Sequence, residues 1–161
     1  MILRRLLVAG ASLALALPAA AGEKTADSSE FAAAAEACIA ALAPPSEIDT
    51  ALTAAGWDEA GSNPIGKRYR HDGMSVAIVT SAMLGSPSCV VDGYLAKKDR
   101  DGLDEAIEAS LSATYGAQLT VSRSGPGTGF VIGDVIAILS FENRSGGLST
   151  RITAMSMADT E

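Results

Sequence analysis

Two cysteines, Cys38 and Cys89, constrain this chain more than any other pair of residues. The first lies in a segment where Phe31, Ala35, Cys38 and Leu42 recur at helical spacing, so that all four fall on one face. The second opens a run from Cys89 to Leu95 that reads as a strand. A bridge between them would pin a helix onto a sheet and close a loop of about 50 residues, worth about 4 kcal/mol by loop-closure entropy. Whether such a bridge persists depends on the compartment, because thiols stay oxidised only outside the reducing cytosol.

The N-terminal sequence addresses that condition. Arg4 and Arg5 form a positive n-region, and Leu6 to Leu17 an apolar stretch too short to span a bilayer stably. Pro18 breaks the helix, and Ala19-Ala20-Ala21 puts small residues before Gly22. The pattern predicts a cleavable secretory signal over residues 1–21. An uncleaved anchor is disfavoured, since the polar residues Glu23, Lys24 and Asp27 follow at once. The arginine pair lacks the polar surroundings of a twin-arginine signal, and the first cysteine stands too far on for lipid attachment. The expected location is therefore periplasmic or secreted; abundant Ala and a preference for Arg over Lys suit a bacterial source.

In an oxidising compartment the two cysteines read as one disulfide. Two buried thiols, or a redox or metal role, are the alternatives. The latter is poorly supported by a chain with no C-x-x-C and His71 as its one histidine. Residues 22–28 read as a flexible lead-in and 29–158 as a single domain. The signal holds two of the 12 basic residues and none of the 19 acidic ones, so cleavage shifts the net charge from −7 to −9. That balance argues against nucleic acid or anionic lipid as the main partner. It leaves an unidentified protein or a small acidic ligand, with no membrane span in the mature chain and no cofactor motif.

Periodicity supplies the order of elements. Asp27 and Glu30 make a capping-box pattern ahead of the first helix, which Pro44-Pro45 ends. Ser46 is placed to cap a second helix carrying Ile48, Leu52 and Ala55, with Gly56 and Trp57 suited to a Schellman ending. Trp57 is then a packing anchor, with ligand stacking as the other reading. Gly61 to Gly66 reads as a loop. A hairpin follows over 67–71 and 74–82, turning at Asp72-Gly73, and the strand Cys89–Leu95 completes a meander. Asp101 and Asp104 are expected to cap a third helix with Leu103, Ile107, Leu111 and Thr114 on one face and Gly116 at its end. Strands over 118–123, 130–132, 135–142 and 148–157 follow, with Gly133-Asp134 as a tight hairpin or a bulge in one long strand. The expected fold is α+β, an antiparallel sheet of about six strands with helices packed on one face, in the order α-α-β-β-β-α-β-β-β. The two halves share a helix-then-meander plan, with little sequence similarity between them.

Chemistry is sparsely signalled, and no catalytic residue is assigned. His71 flanks a predicted hairpin tip and reads as a surface residue rather than a general base. Without a second histidine, a Ser-His-Asp or Cys-His enzyme would have to rely on it alone. Gly125, Gly127 and Gly129 form a candidate binding loop, although a phosphate cradle needs a following helix and this one precedes a strand. Lys67, Arg68, Tyr69, Arg70 and His71 form a basic patch on an acidic protein. It reads either as an edge strand guarded by cations or as a docking surface for an acidic partner. Asp58-Glu59 and Asp104-Glu105 leave open a small hydrolase using paired carboxylates. Asp99, Asp101 and Asp104 lack the ligand pattern of a calcium loop. Asn143-Arg144-Ser145 matches a glycosylation sequon of consequence only in a eukaryote. The favoured function is a binding or accessory module, an inhibitor or envelope-complex component; a carboxylate hydrolase and a self-associating structural protein are the alternatives.

N-terminal sequencing of the protein recovered from periplasm or medium should begin at Gly22. An intact Met1 terminus in the exported fraction would contradict the signal reading.

Overall fold

The computed structural model describes residues 24–43, 47–64, 66–83, 86–125 and 127–157. The expected signal over 1–21, the Pro44-Pro45 break and the Ser46 cap lie outside the described residues. Helix α1, Ser28–Ala41, starts as its sequence suggests, with the Asp27 carboxylate accepting from the Glu30 backbone N–H at 2.9 Å. The reciprocal half of the capping box is absent, because the Glu30 carboxylate instead accepts from the Ser75 N–H at 3.1 Å. Helix α2, Ile48–Ala54, ends in a Schellman motif. The Trp57 N–H reaches the Leu52 carbonyl and the Gly56 N–H reaches that of Thr53, both at 3.0 Å. Gly56 has φ +84°, the left-handed conformation this ending requires.

Eight strands, not six, form one antiparallel sheet: β1 Asp58–Asn63, β2 Gly66–Arg70, β3 Ala77–Met83, β4 Ser86–Leu95, β5 Leu119–Ser124, β6 Gly127–Ile132, β7 Val135–Arg144 and β8 Gly147–Ser156. Their spatial order is β1-β2-β3-β4-β8-β7-β6-β5. Each half is thus a four-stranded meander that starts at an outer edge and ends at the centre, where β4 pairs with β8. Helix α3, Leu103–Tyr115, leads the second meander as α1 and α2 lead the first. The added strand of the first half is β1, where a loop over 61–66 was expected. All six of its residues are exposed, so no apolar alternation marks it.

One row of residues crosses all eight strands and shows how the core is built: Glu59, Tyr69, Ile78, Val91, Ile152, Leu139, Thr128 and Arg123. The central four are fully buried apolar side chains, while charged residues close the row at both edges. Phe31, Cys38 and Ile39 of α1, Leu52 of α2 and Leu103, Ile107 and Leu111 of α3 complete the same core, so all three helices lie on one face. α1 and α3 run side by side, tied where Ser110 and Thr114 donate to the Glu36 carboxylate at 2.9 and 2.5 Å. Thr114, expected on the buried face, is exposed and serves this contact instead. The α3 start also differs: its N-cap is Gly102 at φ +88°, without a side-chain cap, and Asp104 bonds across to the sheet. Helix and turn geometry here leaves Asp101 exposed and uninvolved in capping.

Cys38 and Cys89 form a disulfide with a Cα–Cα distance of 5.7 Å, both residues inaccessible to solvent. It fastens α1 to β4 in the middle of the sheet. Replacing both with alanine should lower stability by about 2–5 kcal/mol, read as a shifted midpoint in urea. An unchanged midpoint would show that the bridge adds nothing to packing alone.

Candidate binding site

Strand β2 carries the basic patch and splits it. Successive residues point to opposite faces, so Lys67 and Tyr69 turn toward the helices while Arg68 and Arg70 stand on the other face. β2 is not an edge strand, because β1 covers it; edge protection therefore does not account for the cations. On the helix side, Tyr69 is buried and its hydroxyl donates to Asp49 Oδ1 at 2.6 Å. Lys67 Nζ donates to Asp49 Oδ2 at 2.5 Å and lies 3.5 Å from Glu59 Oε2. Bonding from Lys67 and then from Tyr69 holds the Asp49 carboxyl below its usual range. Burial first, then the bond to Asp49, pushes the Tyr69 phenol well above its own. This cluster clamps α2 to the sheet, and its groups are mutually satisfied.

Arg68 and Arg70 have a different setting. They line a cleft of about 320 Å³ together with Lys24, Ser75, Asp92 and Tyr94. Lys24 is brought there by the chain entering alongside β4, where the Ala26 N–H donates to the Tyr94 carbonyl at 2.7 Å. Ser75 comes from the loop between β2 and β3. That loop spans residues 71–76, since pairing begins at Arg70↔Ala77 rather than directly beside Asp72-Gly73. Asp92, the cleft's one acidic lining residue, faces Arg151 Nη2 across β4 and β8 at 3.4 Å. Neither Lys24, Arg68 nor Arg70 has an ion pair or side-chain hydrogen bond with another described residue.

His71 is half-buried rather than at a free tip. Its ring meets Trp57 edge-on with centroids 5.5 Å apart, and Nδ1 donates to the Asp72 carbonyl at 2.9 Å. Trp57 is buried, in keeping with a packing role. The glycine-rich stretch is not a loop. Gly127 and Gly129 belong to β6, and Gly125, at φ +73°, occupies the turn after β5. A Cβ at Gly127 would lie 2.6 Å from the Leu139 carbonyl, so glycine is required there by close strand approach. The cation nearest in sequence, Arg123, is engaged by Asp104 at 2.8 Å and by Glu108, and Arg100 stands over the Phe141 ring at 5.1 Å. The acidic side chains Asp104 and Glu108 are consumed in gripping one arginine. Gly133-Asp134 resolves as a tight hairpin, with Ile132 paired to Val135.

Of the five patch residues, then, two reach the cleft, two join the Asp49 clamp and one packs on Trp57. Lys24, Ser75, Asp92 and Tyr94 were not singled out by the sequence. Only the strand alternation of β2 could have hinted that Arg68 and Arg70 part from their neighbours. Among the described residues no group of three or more His, Cys, Asp or Glu side chains is arranged to hold a metal ion, and no helix is long and apolar enough to cross a membrane. No protein-family model matches the chain, and no curated protein or solved structure shows significant similarity to it.

Tyr69→Phe should cost about 1 kcal/mol at neutral pH, the net worth of its bond to Asp49. Because the folded Asp49 pKa lies below its unfolded value, the stabilisation is present above the unfolded pKa and lost as pH falls through the folded one. The gap between wild type and variant should accordingly close in acid. A gap independent of pH would show that Asp49 is not the partner that matters.

Proposed function

We propose that this is an exported, disulfide-stapled binding or accessory protein of the cell envelope, acting through the sheet face opposite its helices on an acidic partner. One observation carries the reading. Arg68 and Arg70 stand on that face without an ion pair to any other described residue, on a chain whose net charge is −7 and would be −9 after signal cleavage. Free cations on an otherwise acidic surface favour encounter with an acidic surface and penalise other approaches. An inhibitor or a component of an envelope complex fits this description equally.

Self-association has an observation of its own. Ile138 and Val131 are 50% and 36% exposed in the second half of the sheet, Ile138 in the same cross-strand row as Arg68. A carboxylate hydrolase gains less support, since one member of each candidate pair, Glu59 and Asp104, is engaged by a cation.

Affinity capture from envelope extract, with the Arg68→Glu/Arg70→Glu variant in parallel, separates these readings. A stoichiometric partner captured by wild type and lost from the variant is the expected result. Capture unaffected by charge reversal would overturn it, and concentration-dependent mass in light scattering without a partner would favour self-association.

A further inference from the structure

The cleft beside β2 contains a feature that a merely solvated cationic surface would not. Ser75 lines it, and the Ser75 Oγ is buried without any hydrogen-bond partner, the one such side-chain atom among the described residues. A buried hydroxyl without a partner is destabilising, and folded proteins rarely leave one so unless something else satisfies it. The same cleft is lined by three cations, Lys24, Arg68 and Arg70, none of them ion-paired with another described residue. Asp92 supplies the only opposing charge among the lining residues and is drawn toward Arg151. Asp58, opposite Arg70 in the β1–β2 register, makes no ion pair with it. Tyr94 adds an aromatic wall.

We infer that this cleft is an oxyanion-binding site, in which Arg68, Arg70 and Lys24 bind the carboxylate or phosphate of a small ligand and the Ser75 hydroxyl, covered in the conformation shown, rotates into the cleft to donate a further hydrogen bond. The volume, about 320 Å³, matches the lower end of small-ligand sites and admits an acid the size of one amino acid or sugar. Two guanidinium groups spaced two residues apart on one strand face offer forked donors to several oxygens at once, which suits a multi-oxygen anion better than chloride. The inference deepens the proposed function, since it rests on the same free arginines. It can fail separately, because it concerns a small anion and not the macromolecular partner.

The test is an NMR titration of the oxidised protein with succinate, glycerol phosphate and inorganic phosphate, with sodium chloride at matched ionic strength as control. Saturable shifts confined to amides of residues 68–76 and 92–94, absent with chloride, are expected; whichever anion binds tightest distinguishes carboxylate from phosphate. Arg68→Gln/Arg70→Gln should weaken binding about tenfold or more. Ser75→Ala provides the sharper outcome: thermal stability unchanged or raised, since a hydroxyl without a partner is removed, but anion affinity reduced severalfold. Shifts that follow ionic strength alone, or full affinity in Ser75→Ala, would overturn the site as described. Its fate is independent of the capture experiment, in which a partner could be lost on charge reversal even if no small anion binds.

Discussion

The antiparallel ladder between β4 and β8, running from Ser88↔Met155 to Leu95↔Leu148, is the contact on which the rest of the structure depends. Among the described residues it is the one place where the two meanders hydrogen-bond into one sheet. Its helix-facing pairs, Cys89 with Ala154 and Val91 with Ile152, form the floor on which α1 lies. The alanines Ala34, Ala35 and Ala41 are buried in α1 and leave room for the helix to sit close. The disulfide then adds a covalent tie between two fully buried positions of this helix–ladder contact. A bridge in this position restrains the unfolded chain across about 50 residues and prevents the first helix from separating from the central ladder.

Away from that centre, the two halves solve the same problem in parallel ways. The outermost strands have little apolar surface, so each flank is closed by a helix aspartate reaching down to the sheet. Asp49 accepts from Tyr69 and Lys67 in the first half. Asp104 accepts from Arg123 at 2.8 Å and Thr128 at 3.3 Å in the second. Tyr69 and Thr128 occupy the same cross-strand row, one on each side of the central apolar four. Partly exposed ion pairs of this kind contribute little energy individually. Their role is to fix where α2 and α3 begin over the sheet, once the central apolar row has supplied the driving force.

Much of this fold was legible in the sequence, and the failures have identifiable causes. The α1 cap and the Schellman ending at Gly56 and Trp57 depend on local chemistry, which a sequence displays directly, and the helix-to-strand disulfide follows from there being two cysteines to pair. Strand β1 was not legible, because Asp58–Asn63 is exposed throughout and is held as a strand by backbone pairing with β2. Gly127 and Gly129 mimic a loop in composition, yet Gly127 is there because the Leu139 carbonyl lies too near for a side chain. Asp101 and Asp104 carried a capping signal, but tertiary partners claimed Asp104 and Gly102 took the N-cap position. The candidate site was half legible. The basic run announced itself, while its division between two faces, and the arrival of Lys24 and Ser75 from distant parts of the chain, depend on topology that no local pattern encodes.

The uncovered face departs from the pseudo-symmetry beneath it. Following one row across the strands, Arg68 is succeeded by Val79, Val90, Thr153 and Ile138, then Gly129 and Ser122. The unpaired cations Arg68 and Arg70 thus sit over the first meander, while over the second the one cation of this face beside the centre, Arg151, is paired with Asp92 and exposed apolar side chains lie beyond it. Arg68 and Ile138 are four strands apart, roughly 19 Å at the usual interstrand spacing. That exceeds the reach of a ligand filling the cleft alone, so a small oxyanion would engage only the first half. A macromolecular partner covering both regions would need acidic groups at one end of its contact surface and apolar groups at the other. Such a surface can be satisfied in one orientation only, because reversal would set apolar groups against Arg68 and Arg70 and leave their charges desolvated without partners. The scaffold repeats itself across the central ladder, and the face it presents does not, which is how a near-symmetric sheet acquires a directional binding surface.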